Sequence, residues 1–480
     1  MNRGWSMKWL CLLLVIGLLA GCGKANEGAS PTHSSSPSAQ ASETPSGDTV
    51  AKEEGLTGSL EIAAFVAGDA NEQWWVEMIE DFKKANPKLE VKSILSGVIG
   101  DEIRTRWVTN NPPDVTLLGG ESSTKDIQQL TNDRKFEKLD DWLKTAKSYE
   151  DPNKLLVDVF SVENRSYDPD GSVIGLPNAT GAYGLFYDAK LARENGWTDL
   201  PKNWEEFVAF LDKIQNSGTG IAPINYPGKN ALGYLTNYIF YDVAQRNPDA
   251  YLNGVNIEPG AWTDSAYQEA FNKMATLRRY ELAGSLAATH VEAQIAFLQR
   301  KAFFYPCGTW LEGEMSKDVP DDFEMQVIPF PINEKGSKSI TQTYAGTDLY
   351  IPVDAKNKDN AKEFIRFMYQ TKYAKSFAEA GLGNFAMKAD LEGASTSSSV
   401  ISFSKMMMDP NLVSFQTKMG RNPTVYVDLN NVFFESLGKA WAGKITAEQL
   451  FTGFEQEARK YEQQEGFQKV EDAFLVRPAS

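Results

Sequence analysis

The chain has 480 residues, an aromatic share of 11% and a formal net charge of −16. This length exceeds that of one ordinary domain, so we expect two lobes or more. The negative charge argues against nucleic acid and anionic ligands as partners and favours a neutral or cationic ligand.

An apolar run near the N-terminus predicts export. Residues 9–19 are mostly apolar, follow Arg3 and Lys8, and are too few for a stable membrane-spanning helix. Residues 19–22, Leu-Ala-Gly-Cys, resemble a bacterial lipobox, which implies a signal peptide over 1–21 and diacylation of Cys22. We therefore expect a bacterial lipoprotein on the extracellular face of the membrane, in a cell with a single membrane. The alternative is an ordinary secretory signal with an incidental cysteine.

The segment after the predicted anchor offers little apolar surface. Residues 22–57 are rich in Ser, Pro, Thr and Ala, which predicts a disordered linker. His33 lies in this linker, so the predicted folded body has one histidine, His290, and one cysteine, Cys307. This composition argues against a disulfide framework, a His-based metal site and Ser-His or Cys-His catalysis. We expect Cys307 to be a small buried hydrophobic residue, and we expect no metal or cofactor.

The first predicted elements of the body alternate between strand and helix. Leu60–Phe65 alternates as a strand, Trp74–Ala85 has helical spacing, and Leu89–Ile94 alternates again. A strand, a helix and a strand in this order predict a parallel sheet. A helix over Ile103–Val108 and a buried strand over Val115–Leu118 are predicted next.

The same alternation continues to the end of the chain. Further strands are predicted at Val173–Pro177, Gly184–Tyr187, Ala302–Tyr305, Met325–Ile328 and Leu349–Ile351. Further helices are predicted at Trp204–Ile214, Tyr267–Tyr280, Glu292–Arg300, Asn360–Gln370 and over most of Thr424–Tyr461. Helical spacing assigns Trp204, Phe207 and Phe364 to the core. The pattern as a whole predicts an α/β fold.

One short motif matches a cofactor-binding pattern, but the elements predicted around it favour a structural role. Residues 381–386 match the Gly-x-Gly-x-x-Ala dinucleotide fingerprint, but a predicted helix, Ala374–Ala380, precedes them instead of a strand. We therefore expect a loop that caps this helix. The sequence has no P-loop, which argues against ATP hydrolysis. A glycosidase needs only two carboxylates, and nothing in the sequence marks such a pair.

Six longer segments carry a family resemblance. They are residues 86–87, 112–115, 175–188, 200–207, 302–311 and 360–365. Their order and spacing resemble the extracellular solute-binding proteins of carbohydrate ABC importers, the maltose-binding-protein-like superfamily. Within it, residues 177–183 and 306–315 look most like the N-acetylglucosamine/diacetylchitobiose-binding branch.

The resemblance implies a two-lobed periplasmic-binding-protein-like α/β fold (type II), with a cleft between the lobes and hinge crossings. Lobe 1 would comprise residues 58–176 and 346–390. Lobe 2, with a C-terminal helical segment, would comprise 177–345 and 391–480. The implied function is non-catalytic: a monomer captures an extracellular carbohydrate and delivers it to an ABC permease. The alternatives are a carbohydrate-active enzyme, and a ligand-sensing or adhesion lipoprotein.

A sugar site needs aromatic faces for the C–H patches of the ring and planar polar groups for its hydroxyls. The resemblance implies a stacking tryptophan at Trp310 and a hydroxyl-binding carboxylate at Glu121. The other ligand-site residues that it implies are Asn178, Tyr183, Tyr226, Tyr344, Asp348, Phe65, Asp69 and Tyr426. Glu312 and Glu314 are equally explained as charges near a helix N-terminus. Asp188, where relatives often have asparagine, is expected to cap a turn.

Overall fold

The computed structural model describes residues 55–66, 68–119, 123–161, 166–168, 170–345, 348–415, 423–462, 467 and 469. The predicted signal peptide, Cys22 and all but the last three residues of the predicted linker lie outside these ranges. Within these ranges, no helix combines the length and the apolar content that crossing a bilayer requires.

The strands form two sheets. In chain order they are β1 (Gly58–Phe65), β2 (Leu89–Ser96), β3 (Val115–Leu117), β4 (Ser166–Tyr167), β5 (Val173–Pro177), β6 (Ala179–Asp188), β7 (Ala222–Ile224), β8 (Ala302–Gly308), β9 (Met325–Ile328), β10 (Ser339–Ala345), β11 (Asp348–Tyr350), β12 (Asn384–Phe385) and β13 (Leu412–Phe415). The first sheet has the order β2-β1-β3-β11-β5-β4. The second has the order β13-β10-β6-β8-β7, and β9 and β12 also pair with β6.

Helices connect the strands and cover the sheets. They are α1 (Asp69–Ala85), α2 (Ile99–Val108), α3 (Ser123–Asn132), α4 (Asp140–Leu143), α5 (Ala189–Glu194), α6 (Trp204–Gln215), α7 (Gly233–Thr236), α8 (Tyr238–Arg246), α9 (Pro248–Val255), α10 (Ser265–Ala275), α11 (His290–Leu298), α12 (Leu311–Glu314), α13 (Lys358–Met368), α14 (Thr371–Glu379), α15 (Ser398–Met407), α16 (Pro423–Trp441) and α17 (Ala447–Glu462). Short 3₁₀ helices cover Leu156–Val159, Ala261–Thr263, Thr276–Tyr280 and Ser285–Ala287.

The predicted parallel unit at the start of the body is confirmed. β1 and β2 pair in parallel along their whole length, from Gly58 opposite Leu89 to Phe65 opposite Ser96. α1 connects them and ends at Ala85, because Pro87 disfavours a helical conformation in the residue before it. The buried residues of α1 form the stripe that the sequence spacing predicts, and they are Trp74, Trp75, Met78, Ile79 and Phe82.

Each sheet carries its own hydrophobic core. In β1 the alternate residues Ile62 and Ala64 join the larger cluster on one face, and Ala63 joins a smaller cluster on the other. In β6 Leu185 and Phe186 likewise belong to different clusters. Burial on both faces is what an α/β architecture requires. The lobe limits predicted from the sequence stay a prediction.

The predicted core residues and the predicted loop agree with the structure. Phe207 and Phe364 are fully buried, and Trp204 packs half-buried against the second core. Cys307 is buried as expected, and burial raises the pKa of its thiol. Residues 381–383 form a turn after α14 and lead into β12 rather than into a helix, and Gly381 has a left-handed backbone conformation with φ +75°.

Two of the differences between the predicted and the observed elements concern the second sheet and its helices. The helix predicted over Tyr267–Tyr280 divides into α10 and a 3₁₀ helix. The strand β10 was not predicted, because its sequence Ser-Ile-Thr-Gln-Thr-Tyr-Ala is largely polar. Pairing with β6 on one side and β13 on the other supplies the support that the local sequence lacks.

Asp114 joins β1 to the segment before α13, and we expect its loss to destabilise the first sheet. Its Oδ2 accepts the backbone N–H of Glu61 at 2.9 Å, and its Oδ1 accepts those of Lys356 and Asn357 at 3.0 and 2.9 Å. Asp114→Ala leaves these donors unpaired, so the free energy of unfolding should fall by about 3 kcal/mol, measured by urea denaturation. Asp141→Ala, whose side chain is 96% exposed, should leave the urea midpoint unchanged. Equal midpoints for both variants would contradict this role.

Candidate functional site

Two of the places where the chain passes from one sheet to the other lie next to each other. β5 ends at Pro177 in the first sheet and β6 begins at Ala179 in the second, with Asn178 between them. The return crossing joins β10 to β11, and it runs antiparallel to the first. Asp348 pairs with Pro177 in the first sheet, and Ala345 pairs with Thr180 in the second.

Each crossing carries a buried acceptor without a donor. Among the described residues, Asn178 Oδ1 and Asp348 Oδ1 have no hydrogen-bond partner. The other carboxylate oxygen of Asp348 accepts a hydrogen bond from Ser166 Oγ, which lies 2.8 Å from the hydroxyl of Tyr350. Burial raises the pKa of Asp348 to about 6. An unpaired buried acceptor is costly, so each of these two oxygens lowers the stability of the protein unless a donor reaches it.

Three half-buried aromatic side chains lie together beside the middle of β6, and we call them the aromatic platform: Tyr183, Tyr234 and Trp310. The ring centroids of Tyr183 and Trp310 are 5.2 Å apart at 87°, and Tyr234 lies 5.9 Å from Tyr183 and 5.6 Å from Trp310. Three elements supply them: β6, α7 and the turn after β8. Such rings offer the apolar faces on which a sugar ring packs.

A glycine sets the position of the tryptophan ring. Tyr183 pairs with Gly308, the last residue of β8, and the Trp310 ring folds back over that glycine. A Cβ atom on Gly308 would lie 2.0 Å from the Trp310 ring, so no other residue fits here without moving it. The strand pairing and this close approach together hold Trp310 beside Tyr183.

A polar group borders the platform. The His290 ring lies 5.3 Å from that of Tyr234, and its Nδ1 is 3.0 Å from the hydroxyl of Tyr305. Its Nε2 is 3.1 Å from Glu314 Oε2, which also accepts a hydrogen bond from Gln294 Nε2 at 2.8 Å. No local sequence motif marks Tyr234, His290 or Gln294, so their place beside the platform is not predictable from the sequence pattern.

Four of the predicted ligand residues lie at the crossings or in the platform: Asn178, Asp348, Tyr183 and Trp310. Phe65 ends β1 and is half-buried, with its ring against Gly119. Asp69 is the exposed first residue of α1. These placements leave their ligand-binding roles as predictions.

Tyr226 lies in the core of the second sheet. It is fully buried, its hydroxyl is bonded to the carboxylate of Glu281, and it accepts a hydrogen bond from Trp441 Nε1 at 2.8 Å. Burial raises the pKa of this hydroxyl. With its polar atom engaged by core neighbours, Tyr226 is explained by packing, and its predicted ligand role finds no support here.

The remaining predicted residues are only partly described. Glu121 and Cys22 lie outside the described residues. The backbone of Tyr344 pairs with Gly181 in the second sheet, and Tyr426 belongs to α16, but their side chains are outside the described part. Asp188 caps α5 as expected, because its carboxylate accepts the backbone N–H of Lys190 at 2.9 Å.

The chain matches a family model described as bacterial extracellular solute-binding protein over residues 77–398. It is 28% identical over 310 residues to the diacetylchitobiose binding protein NgcE of Streptomyces coelicolor, and this alignment spans 63% of each chain. The multiple sugar-binding protein of Streptococcus mutans is 23% identical over 298 residues, 61% of this chain and 67% of that protein. The diacetylchitobiose binding protein DasA of S. coelicolor is 24% identical over 341 residues, 68% of this chain and 73% of DasA.

Solved structures share the fold. The bacterial solute receptor AcbH superposes with a TM-score of 0.62 at 16% identity, over 85% of this chain and 98% of AcbH. Apo RafE of Streptococcus pneumoniae superposes with a TM-score of 0.60 at 17% identity, over 85% of this chain and 99% of RafE. The sugar-binding protein MalE of Xanthomonas citri superposes with a TM-score of 0.59 at 16% identity, over 84% of this chain and 97% of MalE. The predicted periplasmic-binding-protein-like α/β fold is thereby confirmed.

The raised pKa of Asp348 predicts a specific pH dependence of stability. With a pKa of about 6 in the folded protein against 3.8 for an unperturbed carboxyl, the protonated form stabilises the fold below about pH 4, and this contribution is lost as the pH rises through 6. Asp348→Asn removes the titration, so its free energy of unfolding relative to the unsubstituted protein should rise by about 2–3 kcal/mol between pH 4 and pH 7.5. Urea denaturation across this range measures the difference.

The exposed Asp318 provides the control for this pH series. Asp318→Asn should follow the pH profile of the unsubstituted protein. If the Asp348→Asn profile also runs parallel to that of the unsubstituted protein, the buried titration is disproved.

Proposed function

We propose that this chain, which belongs to the bacterial extracellular solute-binding protein family, captures a carbohydrate outside the cell and delivers it to the permease of an ABC importer. One observation carries the choice of ligand class. Half-buried aromatic rings at Tyr183, Tyr234 and Trp310 lie together beside β6, the strand that follows the first crossing. The two crossings carry buried acceptors, Asn178 Oδ1 and Asp348 Oδ1, that have no donor among the described residues. A sugar offers apolar ring faces and hydroxyl donors, and it fits both needs.

Ligand size follows from the spacing of these groups along β6. Asn178 and Tyr183 are five residues apart in the sequence, which corresponds to about 17 Å of extended strand. A ligand that reaches both the crossings and the platform is therefore an oligosaccharide rather than a single ring. The sugar-binding names of the similar proteins from Streptomyces and Streptococcus support this ligand class.

Transport rather than catalysis accounts for the site. The crossings join two sheets, each with its own core, and paired crossings of this kind serve as hinges in binding proteins. The protein then acts as a monomer that closes on its ligand without changing it. The Cys22 lipid anchor and the linker of residues 22–57 would keep this body near its permease on the extracellular side of the membrane.

Replacement of the platform tryptophan should abolish sugar binding. A thermal-shift panel of N,N′-diacetylchitobiose, maltotriose and raffinose is expected to contain at least one sugar that raises the melting temperature, because a ligand at 100 times its Kd adds about 2.7 kcal/mol. Trp310→Ala should remove this shift, since the stacking face is lost. Trp142→Ala alters a half-buried tryptophan that packs on the first core, and it should keep the shift.

Two outcomes would contradict the binding role. One is an unchanged shift in Trp310→Ala. The other is release of shorter sugars from these probes by the purified protein, measured by chromatography, which would indicate an enzyme.

The anchor makes a separate prediction. In cells fed an alkyne fatty acid, the chain should incorporate the label, and mass spectrometry should find a mature N-terminus at lipidated Cys22. Cys22→Ser should abolish labelling, whereas Cys11→Ser should not, because Cys11 lies in the predicted signal peptide. Labelling that survives Cys22→Ser would contradict the lipobox assignment.

A further inference from the structure

The half-exposed carboxylate of Glu314 is held by a buried amide. Gln294 is 1% exposed, and its Nε2 lies 2.8 Å from Glu314 Oε2 and 2.9 Å from His290 Nε2. His290 Nε2 is itself 3.1 Å from the same carboxylate oxygen. Three side chains from α11 and α12 thus form one hydrogen-bonded group, which we call the polar wall.

The polar wall is itself supported from the core. The hydroxyl of Tyr305, a buried residue of β8, is 3.0 Å from His290 Nδ1 and sets the plane of the imidazole. Burying an amide and a phenol hydroxyl is costly unless both are hydrogen-bonded, and here both are directed toward Glu314 or its partner. A glutamate on the surface does not need such support for the protein to be stable. A carboxylate that binds a ligand does need it, because its orientation must be fixed.

The polar wall stands directly beside the aromatic platform. The His290 ring is 5.3 Å from Tyr234, and the backbone N–H of Glu314 donates to the carbonyl of Trp310 at 2.9 Å. The side chain of Glu314 is 47% exposed. Within the described part of the chain, the hydrogen bonds of this carboxylate use Oε2, so Oε1 is available as an acceptor.

We propose that Glu314 is a specificity-determining residue, whose carboxylate accepts hydrogen bonds from hydroxyl or amino groups of a sugar that lies on the aromatic platform. This inference rests on the proposed function. A carboxylate forms its strongest hydrogen bonds with cationic donors, and aromatic rings attract cations as well. Glu314 therefore favours an amino sugar with a free, positively charged amine over the same sugar in its N-acetyl form.

A matched pair of probes tests the role. Chitobiose at pH 6 carries positively charged amines, and N,N′-diacetylchitobiose differs from it only by neutral acetamido groups. Isothermal titration calorimetry gives Kd for both with the unsubstituted protein and with Glu314→Gln. The substitution should weaken chitobiose binding by about tenfold more than it weakens binding of the N-acetyl form, because the charge-assisted hydrogen bond is lost.

Two further variants distinguish a direct contact between Glu314 and the sugar from a long-range effect of its charge and from an effect on folding. Glu312→Gln removes the same charge two residues away, where the carboxylate accepts the backbone N–H of Ser399 at 3.3 Å, and it should leave the ratio of the two affinities unchanged. Gln294→Met keeps the Glu314 charge but frees its orientation, and it should weaken chitobiose binding severalfold while the melting temperature confirms a folded protein.

The outcomes distinguish this inference from the proposed function. If the unsubstituted protein binds these sugars but Glu314→Gln leaves the ratio of the two affinities unchanged, the role of Glu314 is overturned and the proposed function is not. The same conclusion follows if Glu312→Gln changes this ratio as much as Glu314→Gln does. Failure of the unsubstituted protein to bind any sugar of the thermal-shift panel or this pair overturns the proposed function and this inference with it.

Discussion

The antiparallel pairing of the two chain crossings is the constraint on which the site depends. β5 pairs with β11 in the first sheet, β6 pairs with β10 in the second, and the register runs from Asp348 opposite Pro177 to Ala345 opposite Thr180. Backbone hydrogen bonds must be satisfied in a buried sheet, and a slip of one residue would turn every side chain to the other face. This register therefore places Asn178 and Asp348, each with a buried acceptor, at two adjacent crossings.

The site combines two kinds of surface that stability alone does not favour. Among the described residues, the buried oxygens Asn178 Oδ1 and Asp348 Oδ1 have no donor, and the rings of Tyr183 and Trp310 beside the second sheet are half-buried. Both features cost free energy, and under the proposed function a sugar with apolar faces and hydroxyl groups would offset that cost. Gly308 allows the close approach of the Trp310 ring, so the geometry is set by the backbone rather than by a flexible side chain.

Local sequence patterns were sufficient for much of the fold. β1, α1 and β2 follow from alternation and helical spacing, whereas the site role predicted for Trp310 comes from the family resemblance of the residues around it. Long-range contacts were not predictable in this way. Tyr226 follows a strand, as a residue of a ligand site often does. Its hydroxyl is nevertheless hydrogen-bonded in the core to Trp441, which lies 215 positions later in the sequence. The polar wall depends on the packing of α11 against β8, and no sequence motif predicts this packing.

A crystal structure of the protein with a bound oligosaccharide from the thermal-shift panel would show whether the crossings and the aromatic platform form the binding site. We expect one sugar ring packed on Trp310 and Tyr183, and ligand donors within hydrogen-bond distance of Asn178 Oδ1 and Asp348 Oδ1. A ligand bound elsewhere on the body, with both acceptors still unpaired, would contradict this expectation.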